Sequence, residues 1–209
     1  MHAIFQLCPE TELILASNSP RRAAFLEKLG LPFRIVTGNK EEVKPSPGEK
    51  PSDFTLRAAW AKANDAKEIL KPKAPSSLIL SADTVVTCEE KILGKPQNEA
   101  QALKMLSFLA GKTHTVTTSV TLLLLGPKQD SFSFSETTKV HMAPFGQAVL
   151  LAYLSSGEAQ DKAGAYAIQD KGAFLIQDIS GSYTNVVGLP LCRLVDELLK
   201  RSLLKVATA

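Results

Sequence analysis

The sequence has few of the residues and patterns that mark the commonest kinds of site. Its three cysteines, Cys8, Cys88 and Cys192, are odd in number and far apart, and they show neither a CxxC nor a Cys/His zinc spacing. That excludes a disulfide framework and a zinc ribbon, and leaves three reduced structural thiols. The three histidines, His2, His114 and His141, pair with neither one another nor the cysteines, so nothing indicates a transition-metal site or a Cys-His nucleophile. No apolar run approaches the roughly 20 residues that span a bilayer, and Met1 to Glu10 lack a basic segment followed by an unbroken apolar one. The expectation is therefore a cytoplasmic protein without a membrane partner. There is no GxxxxGK[ST] phosphate loop and no GxGxxG turn, so any nucleotide site is of another design. The net charge is only +3, and the basic residues are scattered rather than gathered in a block or an aromatic-studded stripe. Nucleic-acid binding is therefore not supported.

What is present suits one α/β domain over residues 1–209, with a mixed, elongated sheet flanked by helices. The chain is 44% hydrophobic and 22% charged, which is ordinary globular composition, and it is long enough to bury a substantial core. Glu12 to Ala16 reads as a strand. The segment after it, SNSPRRAAFLEKLG, reads as a helix with Ser19 as N-cap, Pro20 in the first helical position and Gly30 just past the end. Lys40 to Pro51 is a charged, proline-bearing loop, after which Ser52 and Asp53 can start a helix running to about Leu70. Leu78 to Val86 is a buried strand, with Glu89 to Lys91 turning a hairpin into Ile92 and Leu93. Asn98 can cap a helix ending near Gly111. Thr113 to Leu125 is a central strand, with Phe132 to His141 pairing beside it. A helix fits Phe145 to Ser156, a Gly-rich extended stretch follows from Ala163 to Tyr183, and a last helix begins at Pro190 and runs to about Leu203.

Two places are locally wrong unless a ligand puts them right. Ser17-Asn18-Ser19-Pro20-Arg21-Arg22 sets two hydroxyls and two guanidiniums at one helix start, where cations oppose the helix dipole. A phosphate among them would resolve the conflict. The alternative is that Ser19 is only a cap and the arginines pair with surface carboxylates. Asp83 interrupts the apolar run Leu78 to Val86 with a carboxylate that is costly to bury unpaired. It could serve as metal ligand or general base, or simply cap a turn with Thr84. Lys95, beyond the hairpin, could reach back toward Asp83, though on its own it is an ordinary surface lysine. Glu41 and Glu42 supply hard oxygens of the kind magnesium or manganese takes, yet adjacent loop carboxylates are usually just solvated. Nothing in the residues themselves singles out Lys62.

The blocks LILASNSPRR, SADTVV, LGKPQNEAQA, DKAGAYAIQDKGAFL and YTNVVGLPL, in that order and spacing, resemble the Maf family over most of the chain. The resemblance implies a mixed sheet in two lobes around a central cleft, often as a homodimer. It also implies hydrolysis of a nucleoside triphosphate to the monophosphate and pyrophosphate with a divalent cation, magnesium or manganese. By the same resemblance Asp83 matches the catalytic acid/base. Ser17, Arg21 and Arg22 match the phosphate-binding turn, joined by Ser19 as a candidate substrate contact. Lys62 and Lys95 match the active-site lysines, and Glu41 or Glu42 matches the loop glutamate that joins Asp83 at the metal. Arg22, Thr84 and Gln169 resemble the branch acting on dTTP and UTP, and a Gln amide suits the paired acceptor and donor of a pyrimidine edge. Ala167, Asp170 and Lys171 stand where similar members often have glycine. A rival reading is a nucleotide-binding regulator of cell division or septum formation with secondary hydrolysis. An aspartyl phosphatase would want an acid where Ser81 stands.

Overall fold

The computed structural model describes residues 4–39, 41, 43–70 and 75–207. In chain order the elements are β1 (Phe5–Leu7), β2 (Thr11–Leu15), α1 (Pro20–Lys28), β3 (Phe33–Ile35), α2 (Pro51–Ile69), β4 (Ser76–Cys88), β5 (Lys91–Leu93) and α3 (Glu99–Leu109). They continue with β6 (Thr113–Leu125), β7 (Asp130–Met142), α4 (Gln147–Leu154), short 3-10 helices at Ala163–Ala165 and Asp170–Leu175, β8 (Ile176–Ser180), α5 (Tyr183–Val187), α6 (Leu191–Lys200) and β9 (Leu204–Val206). The main sheet runs β3-β2-β4-β6-β7-β8 with β5 paired to β4, and β1 and β9 form a separate ribbon. β2 pairs in parallel with β3 and β4, whereas β5 and β8 run antiparallel to their neighbours, so the sheet is mixed.

Contacts divide the chain into two compact units. The first is Met1–Asp83, Ser119–Ser135 and Gly188–Ala209, and the second is Thr84–Thr118 and Glu136–Val187. In the first, Ile14 of β2, Ile79 of β4 and Leu123 of β6 pack on Ala63 and Ala66, small residues of α2. In the second, α3 and α4 bury Leu106, Leu109 and Leu150 with Val116, Val140 and Met142.

Local chemistry explains most boundaries. Pro20 opens α1 with its φ already helical, and Gly30 closes it at φ 72. The Gly30 N–H returns to the Glu27 carbonyl and the Leu31 N–H to the Leu26 carbonyl, a two-bond C-terminal closure that buries Leu31 and Leu26. α2 starts earlier than Ser52 and Asp53 suggest. Lys50 holds the cap position, Pro51 leads, and Asp53 falls in the first turn, where a carboxylate favours the helix dipole. Asn98 caps α3 through the Gln101 N–H at 2.9 Å. Cys88 pairs with Lys91, so Glu89 (φ 48) and Glu90 (φ 64) form a two-residue left-handed turn of the kind that matches hairpin twist.

The segment read as extended from Ala163 to Tyr183 is a strand only over β8. Left-handed backbone at Gly164, Ala165 and Asp170 folds the rest into 3-10 turns, and α5 follows at Tyr183. α6 stops at Lys200 rather than Leu203, because Ser202 at φ 55 turns the chain and the Leu203 N–H closes on the Leu198 carbonyl.

β6 and β7 face each other partly through hydroxyls. Thr117 meets Thr137 at 3.0 Å, Ser119 meets Ser135 at 2.6 Å, and Thr121 meets Ser133 at 2.9 Å. The turn that follows β6 begins at Gly126, at φ 126, where a Cβ would lie 2.6 Å from the Pro75 carbonyl oxygen.

His114, buried on β6, shares a 2.7 Å hydrogen bond through Nε2 with the Tyr166 hydroxyl and meets that ring edge-on. Burial pushes its pKa from 6.5 down to about 4. The folded state therefore holds a neutral imidazole, while the unfolded chain takes up a proton below pH 6.5. This contribution to stability is complete above pH 6.5 and is lost as the pH falls through about 4. Urea unfolding from pH 7 to pH 4 will show a loss on the order of 3 kcal/mol from this group. His114→Gln will flatten the slope in that window.

Candidate active site

The turn from β2 into α1 is organised around Ser17. The Ala16 N–H still pairs with the Leu80 carbonyl at 2.8 Å, which fixes where the turn begins. Ser17 Oγ accepts from the Ser19 N–H at 3.2 Å and from Arg22 Nη1 at 2.9 Å. Ser19 occupies the N-cap position in extended backbone, but its own hydroxyl makes no cap bond. Ser19 thus stands at the N-cap position expected of it but supplies no side-chain cap. α1 has no acid in its first turn, so the positive end of the helix lies beside Arg21 and Arg22 without a side-chain anion of its own. Arg22 is buried, with Nε donating to the Gly188 carbonyl at 2.8 Å, whereas Arg21 is half-buried. Asn18 is exposed and accepts from Thr37 Oγ1 at 3.2 Å.

The Asp83 anomaly is resolved by α2. Ser81 Oγ donates to the Ala59 carbonyl at 2.7 Å, and two residues on, Asp83 Oδ1 receives Lys62 Nζ at 2.5 Å. Alternation along β4 sends both side chains to the α2 face, and the three-residue step from Ala59 to Lys62 keeps both on one face of the helix. The pair is partly open, with 16% of the Asp83 side chain and 30% of the Lys62 side chain exposed. Both groups can therefore meet a ligand.

The same alternation turns Thr84 to the other face, within the second unit. Thr84 Oγ1 meets Thr118 Oγ1 at 2.9 Å, and Thr118 Oγ1 donates to the Asn185 carbonyl at 3.0 Å. Asn185 is fully buried, and its amide nitrogen donates to the Val116 carbonyl and to Thr138 Oγ1, both at 3.0 Å. Lys95 is exposed in the loop after β5, tied at Gly94 by the Gly164 N–H at 3.1 Å. Gln169 is half-buried in a loop pinned by the Tyr153 hydroxyl, which accepts from the Ala167 N–H at 3.1 Å. The Glu158 carboxylate pins it too, accepting from the N–H groups of Lys171 and Gly172. Burial raises the Tyr153 hydroxyl to about 12, so it stays protonated.

Among the contacts described, three join residues expected from sequence, Ser17 with Ser19, Ser17 with Arg22, and Lys62 with Asp83. Gly188, Thr118, Asn185, Tyr153 and Glu158 were not anticipated. Asn185 carried a legible signal, an amide beside the paired valines of YTNVVG, much as Asp83 did in its strand. Glu41 is exposed, and Glu42 lies outside the described residues. Among the described residues no cluster of three or more His, Cys, Asp or Glu side chains is placed to hold a metal ion.

The Maf-like protein family model matches residues 12–201. The chain belongs to the Maf family. It is similar to the dTTP/UTP pyrophosphatase of Nitratidesulfovibrio vulgaris, 44% identical over 189 residues that cover 90% of this chain and 87% of that one. It is also similar to the dTTP/UTP pyrophosphatase of Desulfotalea psychrophila, 41% identical over 194 residues with 93% and 96% covered. The dTTP/UTP pyrophosphatase of Bacillus cereus is 44% identical over 187 residues, with 90% and 88% covered. Among solved structures, this Maf-family chain has a distant similarity to the Ham1 protein of Staphylococcus aureus. That match is 15% identical with a TM-score of 0.48, and it covers 91% of this chain and 99% of that one. No helix among the described residues is long and apolar enough to cross a membrane.

The Lys62–Asp83 contact is measurable apart from any activity. In urea unfolding of Lys62→Met, Asp83→Asn and the double variant, the partly exposed pair will show a coupling energy of about 1 kcal/mol. Strictly additive losses would mean that the two side chains do not interact in solution.

Proposed function

We propose that this chain is a nucleoside triphosphate pyrophosphatase that hydrolyses dTTP and UTP, and modified pyrimidine nucleotides, to the monophosphate and pyrophosphate. The observation that carries the reading is Ser17, whose oxygen is filled by two protein donors at the mouth of a helix that carries two arginines. A hydroxyl so placed has only its proton to offer, and a phosphate oxygen accepts it. The names of relatives 41–44% identical over nine-tenths of the chain support the same substrate class. β4, β6 and β7 each run through both compact units, which supports a single catalytic domain.

In this reading Ser17, Ser19, Arg21 and the first N–H groups of α1 hold the polyphosphate, and Lys95 adds charge to it. Asp83, oriented by Lys62 through Oδ1, takes the proton of the attacking water. Thr84 and Gln169 set the pyrimidine preference, and Arg22 serves the phosphate turn through Ser17. The donor set fits a hard divalent cation of the magnesium or manganese type. Such ions bind through one or two carboxylates together with substrate phosphates and water, and need no all-protein cage. Asp83 and one of Glu41 or Glu42 would hold it, and it would supply positive charge to offset that of the phosphates. A regulator that only senses nucleotide would have no use for the Lys62–Asp83 pair.

With magnesium or manganese present, the purified protein will release pyrophosphate from dTTP and UTP well ahead of purine triphosphates. A strong preference for 7-methyl-GTP, or release of single phosphates, would overturn the reading. Asp83→Asn will lower kcat by roughly 10²–10⁴-fold while keeping cooperative unfolding. Turnover near the wild-type rate would remove Asp83 from the chemistry.

A further inference from the structure

Arg22 is an unusual phosphate-turn cation, because the protein already holds much of its guanidinium. It is only 9% exposed, with Nε on the Gly188 carbonyl at 2.8 Å and Nη1 on Ser17 Oγ at 2.9 Å. Gly188 lies 166 residues away in sequence and sits at φ 117, a backbone that residues with a Cβ rarely adopt. The aim of its carbonyl therefore depends on its being glycine. At the other end of the chain of bonds, the Ser19 N–H takes the second lone pair of Ser17 Oγ at 3.2 Å. A hydroxyl has two lone pairs and one proton, and here both lone pairs are occupied.

We infer that Gly188 is a positioning residue of the phosphate site. Its carbonyl fixes the Arg22 guanidinium, Arg22 donates to Ser17, and Ser17 is left as an obligate donor to a phosphate oxygen. Arg22 donates in both directions, from Nε to Gly188 and from Nη1 to Ser17, so the Gly188 bond acts by orientation, and from Arg22 onward the guanidinium polarises the Ser17 hydroxyl toward an anion. Arginine is required because its planar fork reaches two acceptors at a fixed angle, which a single ammonium cannot do. The inference rests on the phosphate reading given above and adds to it a residue that offers the substrate no side chain.

The test is a cycle of Gly188→Ala and Ser17→Ala, singly and together. It is read by calorimetric binding of pyrophosphate and by KM and kcat for UTP. Gly188→Ala will weaken pyrophosphate about tenfold and raise KM to match, with kcat within about twofold of wild type. In the Ser17→Ala background the same change will cost less than about twofold. Arg22→Lys, which keeps the charge but cannot span both acceptors, will show the same dependence on Ser17 and serves where Gly188→Ala does not fold. Equal losses with and without Ser17, or a fall in kcat at unchanged KM, would overturn the inference while leaving the phosphate reading intact. A wild-type protein that neither binds pyrophosphate nor hydrolyses UTP would overturn both.

Discussion

Asp83 brings a charge into a strand whose residues Ala82, Val85 and Val86 are buried, and the Lys62 ammonium 2.5 Å away makes that placement tolerable. Much of the first unit follows from meeting this requirement. α2 packs on the sheet through small buried residues, Ala63 and Ala66, with Ala59 also buried, and Lys62 on the same helix reaches Asp83. Ser81 adds a second polar tie to the same helix through the Ala59 carbonyl. Because the pair is left partly open, the charge is stabilised without being sealed off from an incoming ligand.

Elements with strong local chemistry were legible in the sequence. Pro20 and Gly30 bracket α1, Asn98 caps α3, and the β-branched run from Thr113 to Leu125 is β6 to the residue. The failures have a common physical origin. Ala165, Asp170 and Ser202 adopt left-handed backbone without being glycine, so nothing in their identity announces the turns they make. β1, β3 and β9 are three residues each, too short to show alternation, and exist because a distant segment pairs with them.

The candidate site divides along similar lines. Asp83 could be seen because a carboxylate in an apolar run breaks a pattern, and the Ser17 to Arg22 turn because cations at a helix start break another. Lys62 could not be chosen among its helical neighbours, since which lysine faces β4 is a matter of packing. Gly188 was invisible for a deeper reason: it contributes a carbonyl, which every residue has, and only the φ that aims it is special.

The facing hydroxyls of β6 and β7 bear on how the sheet finds its alignment. Sliding β7 by two residues would set Thr117 against Ser135, Ser119 against Ser133 and Thr121 against Ser131, so every rung would again join hydroxyl to hydroxyl. The ladder is thus strong as glue and poor as an address. The information that selects one alignment has to come from elsewhere.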